Sequence, residues 1–162
     1  MGIPIYKPYD KTIACPLRIT YGNFTVQAFK LPHNETPNYG FLITVDNQKI
    51  LYMTDFEYCQ YVFKKQQVNH ILIEANHFKG LLDHDRPNYE HSVRGHADIE
   101  VTCKFLEINK TEQLRNVVLI HLSSECGDAD LFKEMADKVV DCPVYIAKSG
   151  LEIELKEDSC PF

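Results

Sequence analysis

The chain has 162 residues, 44% of them hydrophobic and 25% charged, the size and composition of one ordinary globular domain spanning 1–162. No run approaches the ~18 consecutive apolar residues of a membrane span, so no membrane association is expected. Seventeen Lys and Arg against 23 Asp and Glu leave a net charge of −6. That excludes broad non-specific binding to nucleic acid, which needs a basic surface to displace counterions, and leaves only local or indirect contact.

The six cysteines, Cys15, Cys59, Cys103, Cys126, Cys142 and Cys160, form no CxxC pair and keep no regular spacing, against a zinc ribbon or a redox motif. The amino end, MGIPIYKPYDK, has no apolar stretch leading to a small-residue cleavage site. A cytoplasmic protein with reduced thiols is therefore expected.

In chain order, 18–20 and 24–31 are predicted strands joined at Gly22-Asn23, a hairpin signal. Residues 39–45 and 49–53 flank a DNQ turn and are apolar on successive positions, the pattern of strands covered on both faces. A helix is predicted over 56–67 with Asp55 as its N-cap, then a buried strand over 68–75 ending in the polar run EANH. A loop rich in His, Asp and Pro follows over 78–90. Residues 98–108 carry Ile99, Cys103, Phe105 and Leu106 at helical spacing, 117–120 is a short buried strand, and 128–139 is amphipathic through Leu131, Met135 and Val139. Two strands, 144–146 and 151–155, are expected around Lys148-Ser-Gly150. Alternating strand and helix in this half predict an α/β layer architecture.

Polar clusters follow the apolar strands: LPHN at 31–34, TD at 54–55, EANH at 74–77 and HLSSE at 121–125. In layered α/β folds the carboxyl ends of strands converge on one rim, so residues distant in sequence share a site there. Imidazole and carboxylate suit zinc or manganese. The stretch Asp83-His-Asp85 with His91 has metal-ligand composition too, but a proline-bearing polar loop is ordinarily solvated surface. The acidic run 154–158 is expected to be an exposed edge.

Taken together, LPHN, ETPNYGFLI, KILYMTDFEY, HILIEANH, VRGH, LRNVVLIHLSSE and VYIAKSGLEIEL resemble, in order, the later portion of phage- and Firmicutes-type metallo-β-lactamase-fold hydrolases, relatives of ribonuclease Z-like nucleases and phosphodiesterases. The resemblance covers 24–155. It implies that Asp55 of the TD motif bridges metals and that His121 is a late metal ligand. It also places His33, Glu74, His77, His96 and Ser123 as supporting or substrate-contacting groups, with His33, His96 and Asp55 as the catalytic candidates. His33 departs from the family pattern, since relatives carry HD where this chain has His33-Asn34.

The family's HxHxDH motif is absent, and with it three or four of the expected ligands. Asp55 and His121 alone fall short of the three protein ligands a zinc site needs. No cofactor is therefore expected on the isolated chain, with Zn or Mn admitted if a partner completes the site. The resemblance thus implies a partial metallo-β-lactamase fold: one mixed sheet with helices on one face, completed to an αββα sandwich by a partner chain. Phe41, Ile43, Leu51 and Ile73 are expected on the face left wet, and at ~1.5–3 kcal/mol each they represent ~6–12 kcal/mol of unrealised burial, comparable to the stability of a whole domain. A homodimer or a complementing chain is expected to cover it. Function divides accordingly: a protein-binding module without catalysis, such as a phage-derived inhibitor or adaptor in the host cytosol, or a metal-dependent phosphodiesterase or nuclease completed by other residues.

Overall fold

The computed structural model describes residues 17–81 and 94–155. Asp83, His84, Asp85, His91, Cys15, Cys160 and most of the 154–158 acidic run lie outside the described residues. Seven strands form one sheet in sequence order: β1 (Leu17–Tyr21), β2 (Phe24–Leu31), β3 (Asn38–Val45), β4 (Gln48–Met53), β5 (His70–Glu74), β6 (Asn116–Ile120) and β7 (Val144–Ile146). β1 to β4 are an antiparallel meander, and β4 to β7 run parallel. The sheet is thus mixed, as expected.

Helix α1 (Ile99–Asn109) connects β5 to β6, and α2 (Ala129–Asp137) connects β6 to β7. Each starts on an aspartate: Asp98 Oδ1 accepts from the Glu100 N–H at 2.7 Å, and Asp128 Oδ1 from that of Leu131 at 3.0 Å, satisfying first-turn donors that have no partner within the helix. Because β5, β6 and β7 advance in one direction, right-handed crossovers put both helices on the same face.

The register shows what that does to burial. Leu51, Ile71, Val117 and Val144 lie side by side on four strands, and Met53, Ile73 and Leu119 form the next row, all almost fully buried. Phe132, Leu106 and Ile99 close over them from the helices. Gly40 belongs to this face, where a Cβ would lie 2.5 Å from the Phe29 ring. The sequence placed Leu51 and Ile73 on the wet face. They belong to the core, because they alternate in register with Phe41, Ile43, Ile50 and Leu72, which occupy the opposite, half-exposed face.

Two predicted elements are absent. Residues 54–63 form no helix, and only a 3-10 turn at Lys64–Gln66 remains. Phe56 and Phe63 are both buried in the core, and their N–H groups donate to Glu74 Oε2 at 2.9 Å and to Asn109 Oδ1. Core side chains accept the bonds that a helix would have made internally, and Asp55 consequently caps nothing. Residues 151–155 are not a strand either. Leu151, Ile153 and Leu155 line an apolar groove with Ile50, Leu72, Val118 and Ile120 on the open face. Cys59, Cys103, Cys126 and Cys142 are free thiols. Among the described residues no helix is long and apolar enough to cross a membrane.

Candidate metal centre

The carboxyl ends of β4, β5 and β6 deliver Asp55, Glu74 and His121 to one rim, and the segment preceding α1 adds His96. Ligand atoms of Asp55, His96 and His121 lie within 4.8 Å of one another. His121 Nδ1 is 3.5 Å and His96 Nδ1 4.0 Å from Asp55 Oδ1. The His96 and His121 rings stand edge to face with centroids 5.2 Å apart.

Glu74 organises the group. Its side chain is fully buried, and Oε1 accepts from His96 Nδ1 at 2.7 Å and His121 Nδ1 at 2.9 Å, while Oε2 takes the Phe56 N–H. Each imidazole directs Nδ1 to one carboxylate oxygen, which fixes the orientation of both rings beside Asp55, as the outer partners of metal-binding histidines do. Burial raises the Glu74 pKa, opposed by the Phe56 N–H and by His96 and His121. Desolvation is the largest of these effects.

Both strand-end donors hold the left-handed backbone region, Asp55 at φ 53 and His121 at φ 56, a conformation costing on the order of 1–3 kcal/mol for a non-glycine residue and concentrated at functional sites. Two asparagines hold them there. Asn38 Nδ2 donates to the Thr54 carbonyl at 2.8 Å and to that of Asp55, and Asn76 Nδ2 donates to the His121 carbonyl at 2.9 Å. The backbone just after His96 is pinned to the end of β5: the Asn76 N–H meets the Ala97 carbonyl and the Ile99 N–H that of His77, each at 2.9 Å. Thr102 Oγ1 donates to the Glu74 carbonyl at 2.6 Å, tying α1 to β5 at the same level.

The other sequence candidates fall around this group. His33 lies beside it, its ring centroid 5.2 Å from that of His96 and its Nδ1 2.6 Å from the Gly95 carbonyl oxygen. Gly95, at φ 92, permits that contact, since a Cβ would come within 2.9 Å of the His33 ring. His77 is buried, without hydrogen-bond partners at either ring nitrogen, its Nε2 3.8 Å from Asp98 Oδ2. Ser123 sits in the turn beside His121, its Oγ accepting from the Glu125 and Cys126 N–H groups. Asn38 and Asn76 were not singled out in the sequence, since asparagine beside a strand end carries no metal signature. Cys59, Cys103 and Cys142 are pushed up to about 11 by burial, which keeps them as thiols and not metal-binding thiolates at neutral pH.

Two imidazoles and a carboxylate meet the three-ligand minimum of a catalytic zinc site with an open position for water. The side chains of Asp55 and His121 are 39% and 43% exposed, so an ion and a substrate have access.

No protein-family model matches the sequence, and no curated protein matches it. Solved structures do. The metallo-β-lactamase fold protein YhfI from Bacillus subtilis aligns at 23% identity and a TM-score of 0.65, over 86% of this chain and 53% of its own. Zinc-bound PqqB from Methylobacterium extorquens aligns at 12% identity and a TM-score of 0.61, over 88% and 55%. A diphosphatase of the PhnP family aligns at 16% identity and a TM-score of 0.57, over 88% and 48%. The chain spans about half the length of these structures. Matched over most of the chain by all three, the described residues, a mixed sheet of seven strands with two helices, have the metallo-β-lactamase fold.

Proposed function

We propose that Asp55, His96 and His121 hold one divalent cation, zinc or manganese, in a site for phosphoester hydrolysis. The observation that carries this is the convergence of the three side chains over the buried Glu74 carboxylate, which bonds both imidazoles. The likeness to a diphosphatase supports the substrate class, and zinc-bound PqqB supports the choice of ion. When bound, the ion supplies a water acidified toward neutral pH and a positive charge for the developing phosphorane oxygens.

The chain's own residues do the rest. Glu74 fixes the orientation of both imidazoles. Asn38 and Asn76 hold the two strained strand ends. His33, its Nδ1 on the Gly95 carbonyl and its ring beside that of His96, is the neighbouring imidazole to take a proton from a bound substrate or water. Ligands equivalent to the HxHxDH motif come, in this reading, from a partner chain or from an N-terminal half of the fold and add to the affinity.

The test is uptake of zinc or manganese by metal-stripped protein, followed by hydrolysis of bis-p-nitrophenyl phosphate, with Asp55→Ala as control. One ion per chain and a metal-dependent rate lost in Asp55→Ala are expected. Absence of stoichiometric metal refutes the site. Metal uptake without hydrolysis keeps the site and returns the function to the inhibitor or adaptor reading, which rests on the missing motif and is favoured by no geometry among the described residues.

A further inference from the structure

Asp55 stands in the metal centre with its backbone fixed and its carboxylate divided between two neighbours. Strand β4 ends at Met53, and Asn38 Nδ2 pins the two residues that follow by donating to the carbonyls of Thr54 and Asp55. Once the backbone is held, which oxygen Asp55 presents depends on what meets each of them. Thr54 Oγ1 donates to Oδ2 at 3.2 Å, while Oδ1 faces the imidazoles, 3.5 Å from His121 Nδ1 and 4.0 Å from His96 Nδ1. A bond of that length is long for a hydroxyl on a carboxylate, so it orients the side chain more than it stabilises the fold.

We propose that Thr54 is a positioning residue that keeps Asp55 a single-oxygen ligand and so biases the centre toward zinc over manganese. This rests on the metal centre proposed above and narrows its choice of ion. A carboxylate with both oxygens free closes on a cation through the pair, an arrangement that suits ions taking six or more ligands rich in oxygen. With Oδ2 on the Thr54 hydroxyl, Asp55 gives Oδ1 alone. One carboxylate oxygen and two imidazoles fill three positions of tetrahedral zinc and leave the fourth for water. The same three atoms are only half of an octahedral manganese shell, and two of them are nitrogens, which suit zinc better than manganese. Thr54 and Asn38 therefore act differently on one residue. Asn38 sets where Asp55 stands, so its loss weakens both ions alike, whereas loss of the Thr54 hydroxyl changes the ratio between them.

The test is the affinity of the metal-stripped full chain for zinc, by competition with a chromophoric chelator, and for manganese, by electron paramagnetic resonance of the free ion. Wild type is compared with Thr54→Val, which keeps the branched shape without the hydroxyl, and with Thr54→Ser, which keeps the hydroxyl. Folding is checked by circular dichroism, and Thr54→Ala replaces Thr54→Val should the latter fail to fold. In Thr54→Val zinc is expected to bind about 10-fold more weakly, the lower end of what an outer partner of a ligand contributes, with manganese within about twofold of wild type. Thr54→Ser is expected to return zinc to within about threefold of wild type, since the donor is restored. Where manganese binds too weakly to measure, the cobalt-loaded chain reads the same choice: intense visible absorption of a four-coordinate ion in wild type, weakened in Thr54→Val as Oδ2 joins the shell. Equal losses for both ions, unchanged zinc affinity, identical cobalt spectra, or no recovery in Thr54→Ser would overturn the role of Thr54 and leave the centre standing. A wild-type chain that takes up no metal would overturn the centre and this role with it.

Discussion

Glu74→Gln isolates the group on which the metal centre is built. The substitution keeps the shape of a fully buried side chain and removes its charge and one acceptor oxygen. Three N–H donors converge on the carboxylate, from Phe56, His96 and His121, at 2.9, 2.7 and 2.9 Å. The amide of glutamine offers one carbonyl oxygen and turns an NH₂ toward the remaining donors, so at least one of the three loses its partner. An unpaired buried donor costs ~1–3 kcal/mol, and the surviving bonds lose charge assistance worth up to about as much again. Relief of the desolvation that raises the Glu74 pKa offsets part of this, leaving a net destabilisation of ~1–3 kcal/mol by urea denaturation. The imidazoles, no longer held in one orientation, are expected to bind zinc 10–100-fold more weakly, measured by competition with a chromophoric chelator. Zinc affinity within twofold of wild type would refute the reasoning, because Glu74 would then be a core residue with no hold on the ligands.

Asn38→Ala removes the clamp on the left-handed Asp55 and is expected to cost ~1–2 kcal/mol and to weaken zinc binding several-fold; an unchanged affinity would show that Asp55 holds its conformation unaided. Gly95→Ala combines φ 92 with a Cβ 2.9 Å from His33 Nδ1, so ~1–3 kcal/mol of destabilisation is expected, with His33 and His96 displaced in histidine NMR spectra; equal stability would contradict the packing. Phe56→Ala empties a fully buried site and is expected to cost ~3–5 kcal/mol in thermal or urea unfolding, a loss under 1 kcal/mol arguing that residues 54–63 are not docked as described. Burial lowers the pKa of both His70 and His77, so the unfolded chain takes up protons first as pH falls. The stability they contribute is complete above the unfolded value of about 6.5 and declines below it; His77→Leu is expected to flatten the difference in unfolding free energy between pH 7.5 and 5.5, and an unaltered difference would exclude His77 as its source.

Much of this arrangement was legible in the sequence, for identifiable reasons. Successive apolar residues and turn signals located β2 to β6, and the spacing of Ile99, Cys103, Phe105 and Leu106 located α1, because local pattern and tertiary burial agree there. They disagree over 54–63. Local composition favours a helix, but Phe56 and Phe63 anchor in the core and their N–H groups are taken by Glu74 and Asn109, acceptors invisible from that stretch. The assignment of Leu51 and Ile73 to the wet face failed because strands apolar on both sides carry no alternation from which to choose a face. At the site, Asp55 and His121 stood out as polar residues ending apolar strands. That His96 joins them depends on how residues 94–98 run beside the end of β5, which only the fold specifies. The asparagine clamps depend on carbonyls in left-handed backbone, for which the sequence offers no sign.

X-ray absorption at the zinc edge of the loaded chain tests the centre most directly. Two imidazoles with oxygen donors and no sulfur, reduced to a single imidazole in His96→Ala, is the result this account predicts. A sulfur-containing shell, or a spectrum indifferent to the loss of His96, would contradict it.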